Sequence, residues 1–352
     1  MERTDRRVLV ALSGGVDSSV CVQLLRQQGY EVEALVLRFS DAHEKAVSDA
    51  KVAARQLGIP LTVEDCGALF ERSVIEPFCR EYCAGRTPNP CLICNPLVKF
   101  RLLCSCADRM GIFWVATGHY ARIAQREGTF YVRTAHSAAR DQSYMLYRLE
   151  QPVLRRLLLP VGAYEKPVIR EKAQQLGLDA ANAPDSQEIC FIPSGDYAGY
   201  IEARGMHCPT GCFIAPDGRR LGPHKGVLHY TVGQRRGLGI ALGQPVFVKR
   251  ILSSGDIQLG YAGEEFYRAA LLDDIVEQGA GLQVGSRYMV KIRSAAKPVP
   301  CTVLSRSESG LLIAFEEPAR APAPGQAAVL YDGELLIGGG PIREIYADLP
   351  DC

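Results

Sequence analysis

The sequence predicts an α/β domain built on a parallel sheet, then a small basic domain, then a C-terminal β-barrel. Three observations carry this. Short apolar runs alternate with helical periods up to Thr117, the charge pattern shifts after about residue 195, and short strands separated by turn signals fill the end of the chain.

Residues 8–12 (Val-Leu-Val-Ala-Leu) read as a buried parallel strand, because they are apolar on both faces. Ser13-Gly14-Gly15 breaks that run, and a helical pattern follows from Asp17 to Gln28 with Gly29 as its stop. Glu31 to Leu37 is the next apolar run, a helix fits residues 41–57 up to Gly58, and Leu61 to Glu64 is extended. Phe113 to Thr117 repeats the pattern and ends at Gly118-His119. Helical stretches are expected near 142–158 and 166–176. The expected domains are 1–195, 196–263 and 264–352.

Lys plus Arg is 40 and Asp plus Glu is 39, a net charge of +1, which excludes a wholly basic nucleic-acid binder. The total hides a polarised chain. Arg204 to Arg250 holds eight Lys/Arg and one Asp (8 − 1 = +7), whereas Ile251 to Ser286 holds six acids and one Arg (−5). Phe213, Tyr230 and Phe247 interleave with the basic residues, a composition suited to an RNA-facing surface. Beyond it, Tyr288, Val290 and Ile292 alternate with other positions, and Cys301–Leu304, Leu311–Phe315 and Ala327–Tyr331 read as strands. Asp332-Gly333 predicts a type I′ hairpin before Leu335–Ile337, and Pro318–Pro324 reads as a loop.

The 13 cysteines cannot all pair internally, the charged start from Met1 to Val10 is no secretory segment, and no apolar run reaches the ~18 residues of a membrane span. A cytoplasmic protein with reduced thiols and no membrane partner is expected. Cys21, Cys66, Cys104, Cys106 and Cys301 read as small packing residues; no role is assigned to Cys79/Cys83 or Cys208/Cys212.

Ser13-Gly14-Gly15-Val16-Asp17-Ser18 sits between a strand and a helix. Glycines let backbone approach a phosphate, helix-terminal amides point at it, and Ser13 and Ser18 offer hydroxyls. Asp17 is expected to place Mg²⁺ or the loop itself. The Gly-Lys-Ser/Thr of a γ-phosphate grip is missing, which suits enzymes that release pyrophosphate and transfer AMP. The hexapeptide resembles the signature of the pyrophosphate-loop (PP-loop, adenine nucleotide alpha hydrolase-like) superfamily. That resemblance implies ATP, Mg²⁺ and an adenylated intermediate.

Cys91 and Cys94 follow a stiff segment in which Pro88 and Pro90 flank Asn89. Asn95-Pro96 is expected to start a helix, placing Cys94 where the helix dipole favours thiolate. Cys190 lies 96 positions later (190 − 94), so only the fold can bring it near.

Several motifs then occur in order: Ser13 to Ser18, Gly85-Arg86-Thr87-Pro88-Asn89-Pro90, Ala116-Thr117-Gly118-His119-Tyr120, Asp141-Gln142-Ser143-Tyr144, Asp185-Ser186 with Ile189-Cys190-Phe191-Ile192, and Thr231 to Gly239. Together with Pro324-Gly325-Gln326 and Gly338-Gly339-Gly340, this set is similar to the tRNA-specific 2-thiouridylase family over nearly the whole chain. The resemblance implies ATP-dependent 2-thiolation of the wobble uridine (position 34), in tRNAs for Lys, Glu and Gln. It implies a PP-loop domain, a small central domain and a β-barrel. Cys190 would carry a persulfide, and Cys94 would close a disulfide with it as sulfur leaves. Ala11, Leu12, Ser13, Gly14, Gly15, Val16, Asp17, Ser18, Leu37 and Gly118 would line the ATP site. Asn89, Pro90 and Cys91 would face the target base, and His119, Arg140, Asp141, Gln142, Arg293, Ser294 and Gln326 would contact tRNA.

Three departures stand out. Position 91 is Cys where the best-known members have Asp, position 140 is Arg where Lys is usual, and Arg38 to Lys45 lacks an insert expected there. Cys91 opens an alternative in which Cys91, Cys94 and Cys190 hold three irons of a [4Fe–4S] cluster and the fourth iron takes sulfide. Free sulfide would then be the sulfur donor; a cysteine desulfurase or sulfur-relay protein would suit the persulfide route. A PP-loop ligase adenylating a small molecule explains residues 8–18 but neither cysteine motif nor the C-terminal half. A non-enzymatic RNA-binding protein does not require an intact phosphate loop.

Overall fold

The computed structural model describes residues 6–182 and 189–350. Its first unit is a five-stranded parallel sheet. Strands β1 (Arg7–Ala11), β2 (Glu31–Arg38), β3 (Leu61–Asp65), β4 (Trp114–Thr117) and a short Leu157–Leu158 strand are ordered β3-β2-β1-β4 with the short strand beside β4. Val8, Leu9 and Val10 are fully buried, which is why this run reads as continuous rather than alternating. Helix α1 (Val16–Gln27) and helix α2 (Glu44–Leu57) supply crossovers, and each stops at a left-handed glycine, Gly29 (φ 87°) and Gly58 (φ 59°). The missing insert after β2 leaves one short turn, Asp41–His43, before α2.

The stretch 142–158 is not the helix expected. It breaks into a 3₁₀ turn (Ser143–Leu146), one helical turn (Gln151–Leu154) and the fifth strand of the sheet. Pro152 is tolerated here at the start of a helical turn; deeper in an α-helix its ring would meet the carbonyl of Arg148. The later helix matches, running Lys166–Gln175.

The central strands form a separate four-stranded sheet. Here the basic and acidic segments meet. Arg220 pairs with Asp256 (3.1 Å), Lys249 with Glu264 (2.8 Å) and Arg235 with Glu265. The +7 segment is thus partly neutralised by the acidic one, which corrects its reading as an open basic surface.

The C-terminal strands close a barrel, since Phe266–Leu272 pairs with both Gly310–Arg320 and Leu335–Tyr346. Pro318 lies within a strand, at the register shift between Tyr267 and Ala269, so the expected Pro318–Pro324 loop begins only at Ala321. At the hairpin, Asp332 pairs with Leu335, leaving Gly333 and Glu334 as the loop. Only Gly333 has positive φ (57°), so the turn is not type I′, which needs both. The barrel sheet continues into an unexpected hairpin of the first unit, Ala121–Arg126 and Thr129–Thr134, joined through Leu335↔Arg133.

A disulfide joins Cys83 to Cys208, with Cα atoms 4.6 Å apart across 125 residues. This corrects the expectation of uniformly reduced thiols. Cys21, Cys66, Cys106 and Cys301 are buried, as packing residues should be, while Cys104 is only half-buried against the core that holds Cys66 and Cys106.

Candidate active site

The phosphate loop leaves the C-terminal end of β1. Ala11 is in register with Leu35 and Thr117, and the Leu12 amide donates to the Leu35 carbonyl at 2.8 Å. Gly14 has φ 78°, and a Cβ there would stand 2.5 Å from the Asp49 backbone, so only glycine fits. The loop is locked by its own hydroxyls. Ser18 Oγ donates to the Gly15 carbonyl (3.1 Å) and accepts from the Ser13 amide (3.2 Å), while Ser19 Oγ donates to Gly15 (2.9 Å). Ser18 thus braces the loop from inside. Gly118 packs on the first turn of α1, where a Cβ would lie 2.7 Å from the Asp17 and Ser18 backbone. Leu37 sits near the end of β2 with its side chain in the core.

Two residues that sequence reasoning missed converge on Asp17. Lys166 Nζ lies 2.8 Å from each carboxylate oxygen, and the Tyr120 hydroxyl donates to Oδ1 at 2.8 Å. Their sequence distance from the loop hides them; only Tyr120's place at the end of a quoted motif was a signal.

The cysteine helix starts earlier than expected. Asn89 is its cap, with Oδ1 accepting from the Cys91 amide at 3.1 Å and Pro90 as first residue. The helix runs unbroken over Pro90–Arg109, with Pro96 absorbed in a π turn at Asn95–Lys99. It is long and apolar enough to cross a bilayer, but Leu92, Val98, Phe100, Leu103 and Ala107 face the protein core. Cys94 therefore sits in the helix interior, buried, and burial pushes its thiol up to about 11. The first turn of the helix holds Cys91 instead, which is exposed.

Cys190 presents surface to solvent, yet the protein crowded around it pushes its thiol up to about 12, with Cys91 and Cys94 adding to the shift. Cys190 thus lies within electrostatic reach of Cys91 and Cys94. Lys99 is the cation that opposes the shift at both Cys94 and Cys190. Asp185 and Ser186 lie outside the described residues. Among the described residues, no three His, Cys, Asp or Glu side chains are grouped to hold a metal ion.

His119 links the two halves. Its Nδ1 lies 2.7 Å from Thr117 Oγ1, and its ring stacks on Phe100 of the cysteine helix (centroids 5.8 Å). Burial, then Lys99, pulls its pKa down to about 3, so the imidazole is neutral.

Other expected tRNA contacts have internal work. Asp141 accepts from the Ala135 amide (2.9 Å) and Ser143 Oγ (2.8 Å), and Gln142 Oε1 accepts from the Tyr120 amide (2.8 Å). Arg293 Nη2 donates to the Ala321 carbonyl at 2.6 Å. Gln326 Nε2 donates to the Thr87 carbonyl at 2.6 Å. Arg140 is exposed at the end of a 3₁₀ turn, and Ser294 lies half-buried in a turn.

An anion loop at the carboxyl edge of a parallel sheet, with a cysteine helix and a third cysteine alongside, defines a nucleotide-using α/β enzyme carrying two appended β domains. Residues 6–194 match the family described as tRNA methyl transferase HUP domain, residues 200–257 its PRC-barrel domain, and residues 278–342 the aminomethyltransferase beta-barrel domain. The tRNA-specific 2-thiouridylase MnmA of Carboxydothermus hydrogenoformans is 41% identical, over 96% of this chain and 98% of its own. That of Clostridioides difficile is 40% identical, over 97% and 99%. The chain belongs to the MnmA family of tRNA-specific 2-thiouridylases. Among solved structures, a 4-thiouridine synthetase–RNA complex with bound ATP is 20% identical at TM-score 0.37, over 56% of this chain and 50% of that one.

Proposed function

We propose that the protein uses ATP to convert the wobble uridine (position 34) of tRNA to 2-thiouridine. The observation that supports this reading is that Cys190 lies within electrostatic reach of Cys94, whose helix is tied through Phe100 and His119 to the strand end that packs on the phosphate loop. Uracil O2 attacks the ATP α-phosphate and releases pyrophosphate, which makes AMP the leaving group at C2. Mg²⁺ arrives with ATP as part of the substrate, since it needs only phosphate oxygens, water and at most one or two carboxylates. Amides at the start of α1 meet the developing phosphate charge.

The terminal sulfur of a Cys190 persulfide attacks C2 and AMP departs. Cys94 then attacks Cys190 Sγ; the Cys94–Cys190 bond forms, the persulfide S–S bond breaks, and the sulfur stays on C2. An external thiol reduces the resulting disulfide. A persulfide is more acidic than a thiol, and that matters where burial holds both thiols protonated. Lys99 is placed to favour the anionic sulfur at either position. The sulfur donor is of the persulfide-carrying class, a cysteine desulfurase or relay protein, and tRNAs for Lys, Glu and Gln are the expected substrates. The flipped base would meet the Asn89–Cys91 turn.

The test is thiolation of unmodified tRNA with ATP and a persulfide donor, with iron measured in the same preparation. Iron-free, active protein supports this route. Activity that tracks iron content and uses free sulfide would replace it with the cluster route. ATP turnover without any tRNA dependence would favour a ligase of small molecules.

A further inference from the structure

Lys166 is buried, an uncommon place for a lysine, and it opens the helix Lys166–Gln175. Its ammonium bridges both oxygens of Asp17, 149 residues away, at 2.8 Å each. The Tyr120 hydroxyl donates to the same carboxylate, and Lys166 Nζ stands 5.8 Å from the centre of the Tyr120 ring. Two distant segments thus converge on one side chain of the phosphate loop.

Asp17 is the second residue of α1. The amides and dipole of that helix terminus attract an anion. An uncompensated Asp17 carboxylate would take up that potential itself and repel an incoming phosphate chain. Bidentate pairing with Lys166 offsets its charge. We propose that Lys166 is a positioning residue that neutralises Asp17, so that the N-terminus of α1 accepts the phosphates of ATP. The inference rests on the ATP-dependent reading above for the identity of the anion.

The experiment is ATP binding to the full chain by equilibrium dialysis, without tRNA. Lys166→Met should weaken ATP binding by about tenfold or more, because it strands a partly buried carboxylate beside the phosphates. Lys166→Arg should restore most of the affinity, since a guanidinium also holds a carboxylate by two bonds. Asp17→Asn combined with Lys166→Met should bind ATP more tightly than Lys166→Met alone. A lysine needed only for packing would give no such recovery, and its absence would overturn the proposal, as would wild-type affinity in Lys166→Met. If Lys166→Met does not fold, Lys166→Gln, which keeps a hydrogen-bond donor toward Asp17 but no charge, decides: a loss of ATP affinity of about tenfold supports neutralisation, and wild-type affinity overturns it. Because no thiolation is read, a chain that binds ATP this way but leaves tRNA unmodified would sink the proposed reaction and not this role.

Discussion

The Gln326 side-chain amide donates to the Thr87 carbonyl at 2.6 Å, across 239 residues of chain. Next to it, the Thr87 amide donates to the Pro324 carbonyl at 3.1 Å, and a Cβ on Gly325 would lie 2.9 Å from the Thr87 nitrogen. The barrel therefore clasps the segment that delivers Asn89 to the start of the cysteine helix. Gln326→Ala should cost about 1 kcal/mol of stability, the usual net worth of one hydrogen bond. Thiolation should fall while ATP affinity stays as it was. Unchanged thiolation kinetics would show that the clasp does not position the helix.

The sulfur route makes a graded prediction across three cysteines. Cys190→Ser and Cys94→Ser should each abolish thiolation while ATP binding persists. Cys91→Asp should keep thiolation, because position 91 carries no sulfur in the proposed sequence. Loss of activity in Cys91→Asp together with loss of iron would move the chemistry to a cluster.

His119 should tie stability to pH. Burial holds its folded pKa near about 3, and burial also lowers His43. Unfolded, both imidazoles take up a proton near about pH 6.5. The unfolded chain therefore binds more protons as pH falls below that value, so stability drops from there toward about pH 3. His119→Gln should flatten the fall and leave the share due to His43. Denaturant midpoints measured between pH 7 and 5 check this; equal slopes in variant and wild type would refute it.

Closing a loop of 125 residues is worth about 5 kcal/mol at most on chain-entropy grounds. Cys208→Ser, or a reducing agent, should therefore lower the thermal midpoint, and the reductant should have no further effect on the variant. Identical melting with and without reductant would mean that the Cys83–Cys208 bond is not populated in solution.

The parallel sheet was legible because Val8 to Val10 are buried on both faces, which leaves an unbroken apolar run. The phosphate loop was legible because its glycines and hydroxyls act within six residues. The start of the cysteine helix was misplaced because Asn89-Pro90 and Asn95-Pro96 are the same start signal twice. The first wins through its hydrogen bond to Cys91, and the π turn accommodates the second proline. Lys166, the Cys83–Cys208 bond and the internal roles of Asp141 and Gln142 depend on partners that no local spacing encodes. The basic segment misled because its counter-charges Asp256, Glu264 and Glu265 lie just beyond its end.

The hairpin shared with the barrel has a temporal consequence. Thr129–Thr134 emerges during synthesis about 200 residues before its neighbour Leu335–Tyr346, so at about 5–20 residues per second its edge stays uncovered for about 10–40 s. Arg122, Arg126 and Arg133, which later pair with Asp332 and Glu334, line that waiting hairpin with like charge. Repulsion between nascent chains at this edge protects it from premature pairing until the last strand arrives.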